Sequence, residues 1–214
     1  MKQLVLASAA VLALAAGAAS AAPTAAGHGK VVAPPAVTAG TIYSNNKTDS
    51  GIGIVSQNFE SSFDIYDARA ADDFPIKKKA VVSEVDVTGV YFNGSGPARD
   101  ENVTFYKDAG GLPGAVVKDY TGVAGADSFG SFKIKVPKTK LKKGTYWVSV
   151  QANMDFAVGG EWGWENNLET TGAPAAWENP GGGFGVGCAT YTNEATCIPD
   201  GQGDHMFSLI GKGH

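Results

Sequence analysis

Phe132-Lys133-Ile134-Lys135-Val136 places an apolar side chain at every even position and a lysine at every odd one. A period of two sends the apolar set to one face of an extended strand and the charges to the other, as in a sheet buried on one side. Val85-Asp86-Val87-Thr88 and Val103-Thr104-Phe105-Tyr106 repeat the pattern, and Tyr146-Trp147-Val148-Ser149-Val150-Gln151 is apolar enough for a central strand. Asn93-Gly94-Ser95-Gly96-Pro97, Gly110-Gly111-Leu112-Pro113-Gly114 and Lys142-Lys143-Gly144 supply turn chemistry between such runs. Working outward, strands are predicted over 41–44, 53–59, 71–74, 81–92, 102–106, 115–120, 131–136, 145–152 and 205–210. Past the N-terminus no window of ten residues carries helical periodicity. The expected architecture is all-β: an antiparallel sandwich, jelly-roll or immunoglobulin-like, with long Gly/Trp-rich loops.

The first 21 residues read differently. Met1-Lys2 gives a positive start, Leu4 to Ala16 is an apolar run, and Ala19-Ser20-Ala21 offers small residues at the spacing of a signal-peptidase site. Cleavage is expected after Ala21, because a cut after Ala22 would leave Pro23 next to the scissile bond. The apolar run falls short of the roughly 20 residues of a membrane-spanning helix, so no transmembrane segment is expected. The chain is predicted to be secreted, extracellular or periplasmic, with residues 22–40 as a flexible leader and 41–214 as a single domain. In an oxidising compartment Cys188 and Cys197 should pair as a disulfide across a short loop. None of the three histidines (His28, His205, His214) has zinc-ligand spacing to a cysteine. With 17 Lys and Arg against 21 Asp and Glu, the net charge of -4 argues against a nucleic-acid partner. A chain 43% hydrophobic and only 18% charged is neither a disordered tail nor a coiled coil.

Two clusters are candidates for chemistry. The first joins Gly160-Glu161-Trp162-Gly163-Trp164-Glu165-Asn166-Asn167 to Trp177-Glu178-Asn179-Pro180. Flat indole faces beside carboxylates and amides suit a sugar, whose C–H face packs on the ring while its hydroxyls find donors and acceptors. Trp162, Trp164, Glu165, Asn166, Trp177 and Glu178 are therefore the candidate ligand-binding residues. The competing reading is that the tryptophans close the sandwich core. A glycosidase-like hydrolase using carboxylates of the 161–178 region is an alternative, since that chemistry needs two carboxyl groups. The second cluster is Asp64, Asp67, Asp72 and Asp73, a candidate structural calcium site, with turn acids as the plain alternative. No other cofactor is implied.

The segments SQNFESSFDIYDARAADDF, VDVTGVYFNGSGPA, VTFYKDAGGLPG, GTYWVSVQANMDF, WGWENN and AAWENPGGGFGVGC, taken together, resemble a β-sandwich domain of exported bacterial proteins. The resemblance spans roughly residues 50–210. It implies fold and location, and carries no catalytic residues over. The functional expectation is a secreted, non-catalytic sandwich that binds glycan or cell-surface material. The hydrolase is one alternative and a structural envelope or matrix component another.

Overall fold

A computed structural model describes residues 21–30, 40–201 and 203–213 as an all-β antiparallel sandwich of three sheets. The predicted signal peptide, Ala21 apart, lies outside the described residues. The largest sheet runs, in spatial order, Thr192–Asn193, Ala176–Glu178, Arg69–Ile76, Gly144–Asn153, Asp100–Asp108 and Pro113–Val123, with Gln57–Asn58 added in parallel beside Gly144–Asn153. A second sheet orders Ala126–Ser128, Ser131–Leu141, Ala80–Val87, Phe207–Gly213 and Thr41–Ser44. The third joins Ala26–Gly27, Asp49–Val55, Glu161–Asn167 and Asp204–His205, with Gly89–Phe92 also paired to Glu161–Asn167. The helical pieces are short: Ser61–Tyr66, Phe156–Gly159 and Glu194–Cys197. Among the described residues no helix is long and apolar enough to cross a membrane.

Period two works as the sequence implies. Along Gly144–Asn153, Tyr146, Val148, Val150 and Ala152 enter the main core. Trp147, Ser149 and Gln151 face the other way. The core is shared by the sheets: Phe74 of the largest and Phe207 of the second meet edge to face at 6.3 Å. Trp177 donates its indole N–H to the Val55 carbonyl of the third at 2.8 Å.

Three predicted strands are broken. Run 53–59 divides at Ser56, run 81–92 at Thr88 and run 205–210 at Met206, and in each case the halves belong to different sheets. The breaks at Thr88 and Met206 coincide in space. Thr88 N–H donates to Met206 O, Met206 N–H to Glu165 O, and Glu165 N–H to Thr88 O, each at 3.0 Å. This exchange satisfies backbone groups that would otherwise be orphaned where strands change sheet.

The expected flexible leader needs correction over its described part. Ala26 and Gly27 pair with Ile54 and Gly53 as an edge strand. Thr24 N–H donates to Glu161 at 2.7 Å, and Asn93 Nδ2 to the other Glu161 oxygen at 2.6 Å. Ala and Gly show no periodicity, but their small size is what this close approach demands: a Cβ on Gly27 would run into the Phe92 ring.

The Cys188–Cys197 disulfide is formed, with Cα atoms 6.0 Å apart. It closes the loop whose Cys188 carbonyl accepts from Asn179 N–H at 2.7 Å. Replacing both cysteines by serine is expected to lower stability by about 2–3 kcal/mol, the loop-closure term for so short a ring. Urea unfolding checks this, and an unchanged midpoint would refute the staple.

Candidate functional site

The tryptophans proposed as sugar platforms are core residues. Trp162, Trp164 and Trp177 are each 0% exposed. They belong to strands, not loops: Glu161–Asn167 is buried at every position, and so is Ala176–Glu178. Trp162 donates to the Gly130 carbonyl at 2.7 Å and stacks on Phe132 at 5.0 Å. Trp164 donates to Met206 O at 3.0 Å and stacks on His205 at 4.6 Å with an 18° interplanar angle. Buried indoles normally find a partner for the N–H in this way. No indole face is left for a ligand arriving from solvent.

Their polar neighbours are buried as well. Asn166 Nδ2 donates to Glu194 Oε1 at 2.9 Å, and Glu194 Oε2 lies 2.8 Å from His205 Nε2. Glu165 is buried at the sheet corner, and neither of its carboxyl oxygens meets a hydrogen-bond donor among the described residues. Burial, and secondarily the Asp49 carboxyl beside it, push its pKa up to about 9. Glu178 alone of the six adjoins an open surface, through its ion pair with Arg69 at 2.7 Å.

Glu161 and Glu165 do not form a glycosidase-like carboxyl pair. Glu161 and Glu165 are four residues apart on one strand, about 13 Å at a strand's rise. Retaining enzymes need about 5.5 Å and inverting ones at most about 9.5 Å. Glu178 belongs to another sheet and faces Arg69.

The four aspartates do not converge either. Asp72 turns inward, accepting from His205 N–H at 2.9 Å. Asp73, its neighbour on the strand, turns outward and accepts from Ala173 N–H at 2.9 Å. Asp67 accepts from Phe59 N–H at 2.8 Å, and with Asp64 it borders a recess elsewhere. Consecutive strand residues point to opposite faces, which is why the DD pair cannot chelate one ion. Among the described residues no three His, Cys, Asp or Glu side chains come together as a metal site.

The open polar surface is the outer face of the largest sheet. At one end it is covered: Ala71, Tyr106, Trp147 and Ala176 form a second small core under Leu112, Ala173 and Tyr191. Trp147 Nε1 donates there to Asp108 at 2.9 Å, which holds that carboxyl below its ordinary pKa. At the other end the face carries amides and hydroxyls, with Asn58 and Asn102 half-buried and Thr104, Ser149, Gln151 and Asn153 buried beside them. Asn102 and Asn153 exchange side-chain hydrogen bonds at 3.1 and 3.0 Å; Asn58 donates to Asn153 at 2.9 Å, and Asn102 to Gln151 at 3.1 Å. Thr104 donates to Asp119 at 2.7 Å. Two recesses, about 100 and 280 Å³, open along this face and share Arg69 and Gln151 as a common wall. They form one polar furrow.

Sequence reasoning missed this furrow, although its signal exists. The period of two in Asn102-x-Thr104 and Ser149-x-Gln151-x-Asn153 marks a polar face. The class of molecule so defined is an all-β sandwich with a polar sheet face. Neither a protein-family model, a curated protein nor a solved structure matches the chain.

Proposed function

We propose that the chain is a secreted, non-catalytic binding module whose polar furrow takes a neutral polyhydroxylated ligand, glycan or cell-surface material. The observation that carries this reading is the amide ladder Asn58, Asn153, Asn102 and Gln151, fixed by mutual hydrogen bonds on the outer sheet face, with Asn58, Asn102 and Gln151 lining the furrow. Each amide both donates and accepts, as a sugar hydroxyl does, and side chains already held in place lose little entropy when a ligand arrives. Arg69 adds donors, and its charge is balanced by Glu178, while Asp64, Asp67 and Asp119 line the recesses as acceptors, so a neutral hydroxylated ligand fits better than an anionic one. Export is supported by the signal-peptide pattern of residues 1–21.

The test is affinity electrophoresis of the mature chain against a panel of soluble polysaccharides and peptidoglycan fragments. Retention on at least one is expected, and Asn102→Ala with Gln151→Ala should weaken it about tenfold or more, each lost hydrogen bond counting roughly 1 kcal/mol. If no polymer retains the unaltered chain, or if the double variant is retained equally well, the reading fails.

A further inference from the structure

We infer that the lysine-rich end of the sandwich docks a linear acidic polysaccharide. Two connections cross between the two larger sheets at this end. Residues 77–79 link Arg69–Ile76 to Ala80–Val87, and residues 142–143 link Ser131–Leu141 to Gly144–Asn153. Strand register sets the two side by side, because Gly144 lies opposite Ile76 and Leu141 opposite Ala80. The first connection is Lys77-Lys78-Lys79 and the second Lys142-Lys143, all exposed. Lys140 and Lys212 flank them. Both lie opposite Val81, one strand to either side of it, which places them about 10 Å apart, two strand spacings. Seven of the chain's 17 Lys and Arg residues therefore meet at one end of a molecule whose net charge is -4.

Farther from this end the lysines are balanced, and at it they are not. Lys133 lies opposite Asp86, 3.8 Å from its carboxyl, and Lys135 lies opposite Glu84. Past Glu84 toward the lysine-rich end, the partner strand carries only Ser83, Val82, Val81 and Ala80. Asp108, on the strand beside Gly144–Asn153, already accepts from Trp147 Nε1 and from the Gly110 and Gly111 N–H groups. Among the described residues none of the seven lysines is in an ion pair. Crowded like charges repel and work against the compact state, so an anion from outside the chain relieves them. Lysine ammoniums are point charges on flexible stems, suited to a chain that carries its anions at intervals. Nucleic acid and bilayer match less well. Unpaired bases stack on exposed aromatic faces, and the exposed ring, Phe129, lies past the far end of Ser131–Leu141. Among the described residues no large apolar side chain is exposed between these lysines to enter a bilayer. A sugar polymer bearing carboxylates needs neither.

The probe is fluorescein-labelled polygalacturonate, followed by anisotropy as the full mature chain is added at low salt. Binding is expected, weakening as salt rises, with none to the fully methyl-esterified polymer. Lys78→Gln with Lys142→Gln and Lys143→Gln should bind about tenfold or more weakly and keep its melting temperature, because all three side chains are exposed. Lys30→Gln with Lys118→Gln and Lys133→Gln removes the same charge elsewhere and should bind within about twofold of the parent, since salt screens distant charges. Asn102→Ala with Gln151→Ala should bind as the parent does, because the furrow shares none of the seven lysines. The proposal is overturned if polygalacturonate does not bind, if the two lysine variants lose equally, or if the furrow variant is the one that fails. It is also overturned if phosphatidylglycerol vesicles or a thymidine oligonucleotide bind more tightly at equal concentration of anionic groups.

Discussion

Trp164→Ala is expected to lower the unfolding free energy by about 3–5 kcal/mol, the range for deleting a large buried aromatic. Against a total stability of about 5–15 kcal/mol, that is a large fraction. Three losses add up at one place. The indole leaves a cavity in the main core, the Met206 carbonyl loses a donor at 3.0 Å, and the His205 ring loses its stacking partner. Met206 is also one of the three residues that exchange backbone bonds where the sheets meet, so the damage falls on the corner of the fold. For a domain of this size each kcal/mol is worth about 2–4 °C, which puts the expected drop in melting temperature at roughly 6–20 °C. Trp164→Phe, which keeps a ring but not the N–H, should fall in between. Thermal unfolding followed by circular dichroism reads both, and a Trp164→Ala melting point within a few degrees of the parent would contradict the core placement.

The same residue shows how far the sequence could be read. Alternation put Trp162 and Trp164 on one face of a strand, and that is where they are. It could not say which face was wet. In Phe132–Val136 the lysines answer that question. In Glu161–Asn167 every position is buried, so the carboxylates and amides that suggested a wet side lie inside the protein. The rule that charge marks solvent fails there because Glu165 is held in its neutral form. The polar furrow was legible strand by strand but not as a unit. Asn58 bonds to Asn153 and Asn102 to Gln151 across many tens of residues, and strand register is set by tertiary pairing that no local pattern encodes. The breaks at Thr88 and Met206 were hidden for a similar reason. At Thr88 the trace is one shift of phase, from Val85 and Val87 to Val90 and Phe92, and the run at Met206 is too short to show one.

Glu165→Gln is expected to raise the melting temperature at pH 9 and to change it little at pH 5. Burial first, and the neighbouring Asp49 carboxyl second, hold the native Glu165 pKa at about 9, whereas its ordinary value is 4.5. In the unfolded chain the group therefore ionises near 4.5 while the native protein keeps its proton. Between these values unfolding releases a proton, so the contribution is complete below pH 4.5, declines as pH rises, and is lost by about pH 9. The slope is about 1.4 kcal/mol per pH unit for each such group. Glu101 and Glu161, both raised by burial to about 7, add their own decline over pH 4.5–7. Asp73 and Asp86, raised to about 6 by burial, add theirs at lower pH. The parent should thus be most stable on the acid side of neutrality and lose stability steadily toward pH 9. An amide is uncharged across that range, matches the carboxyl in shape, and can donate an N–H to Asp49 as the protonated acid does. Its curve should consequently lie flatter than the parent's above pH 7, with the two converging toward pH 5. Melting curves at half-unit steps from pH 5 to 9 measure this directly, and two parallel curves separated by a constant offset would show that Glu165 does not carry the native proton.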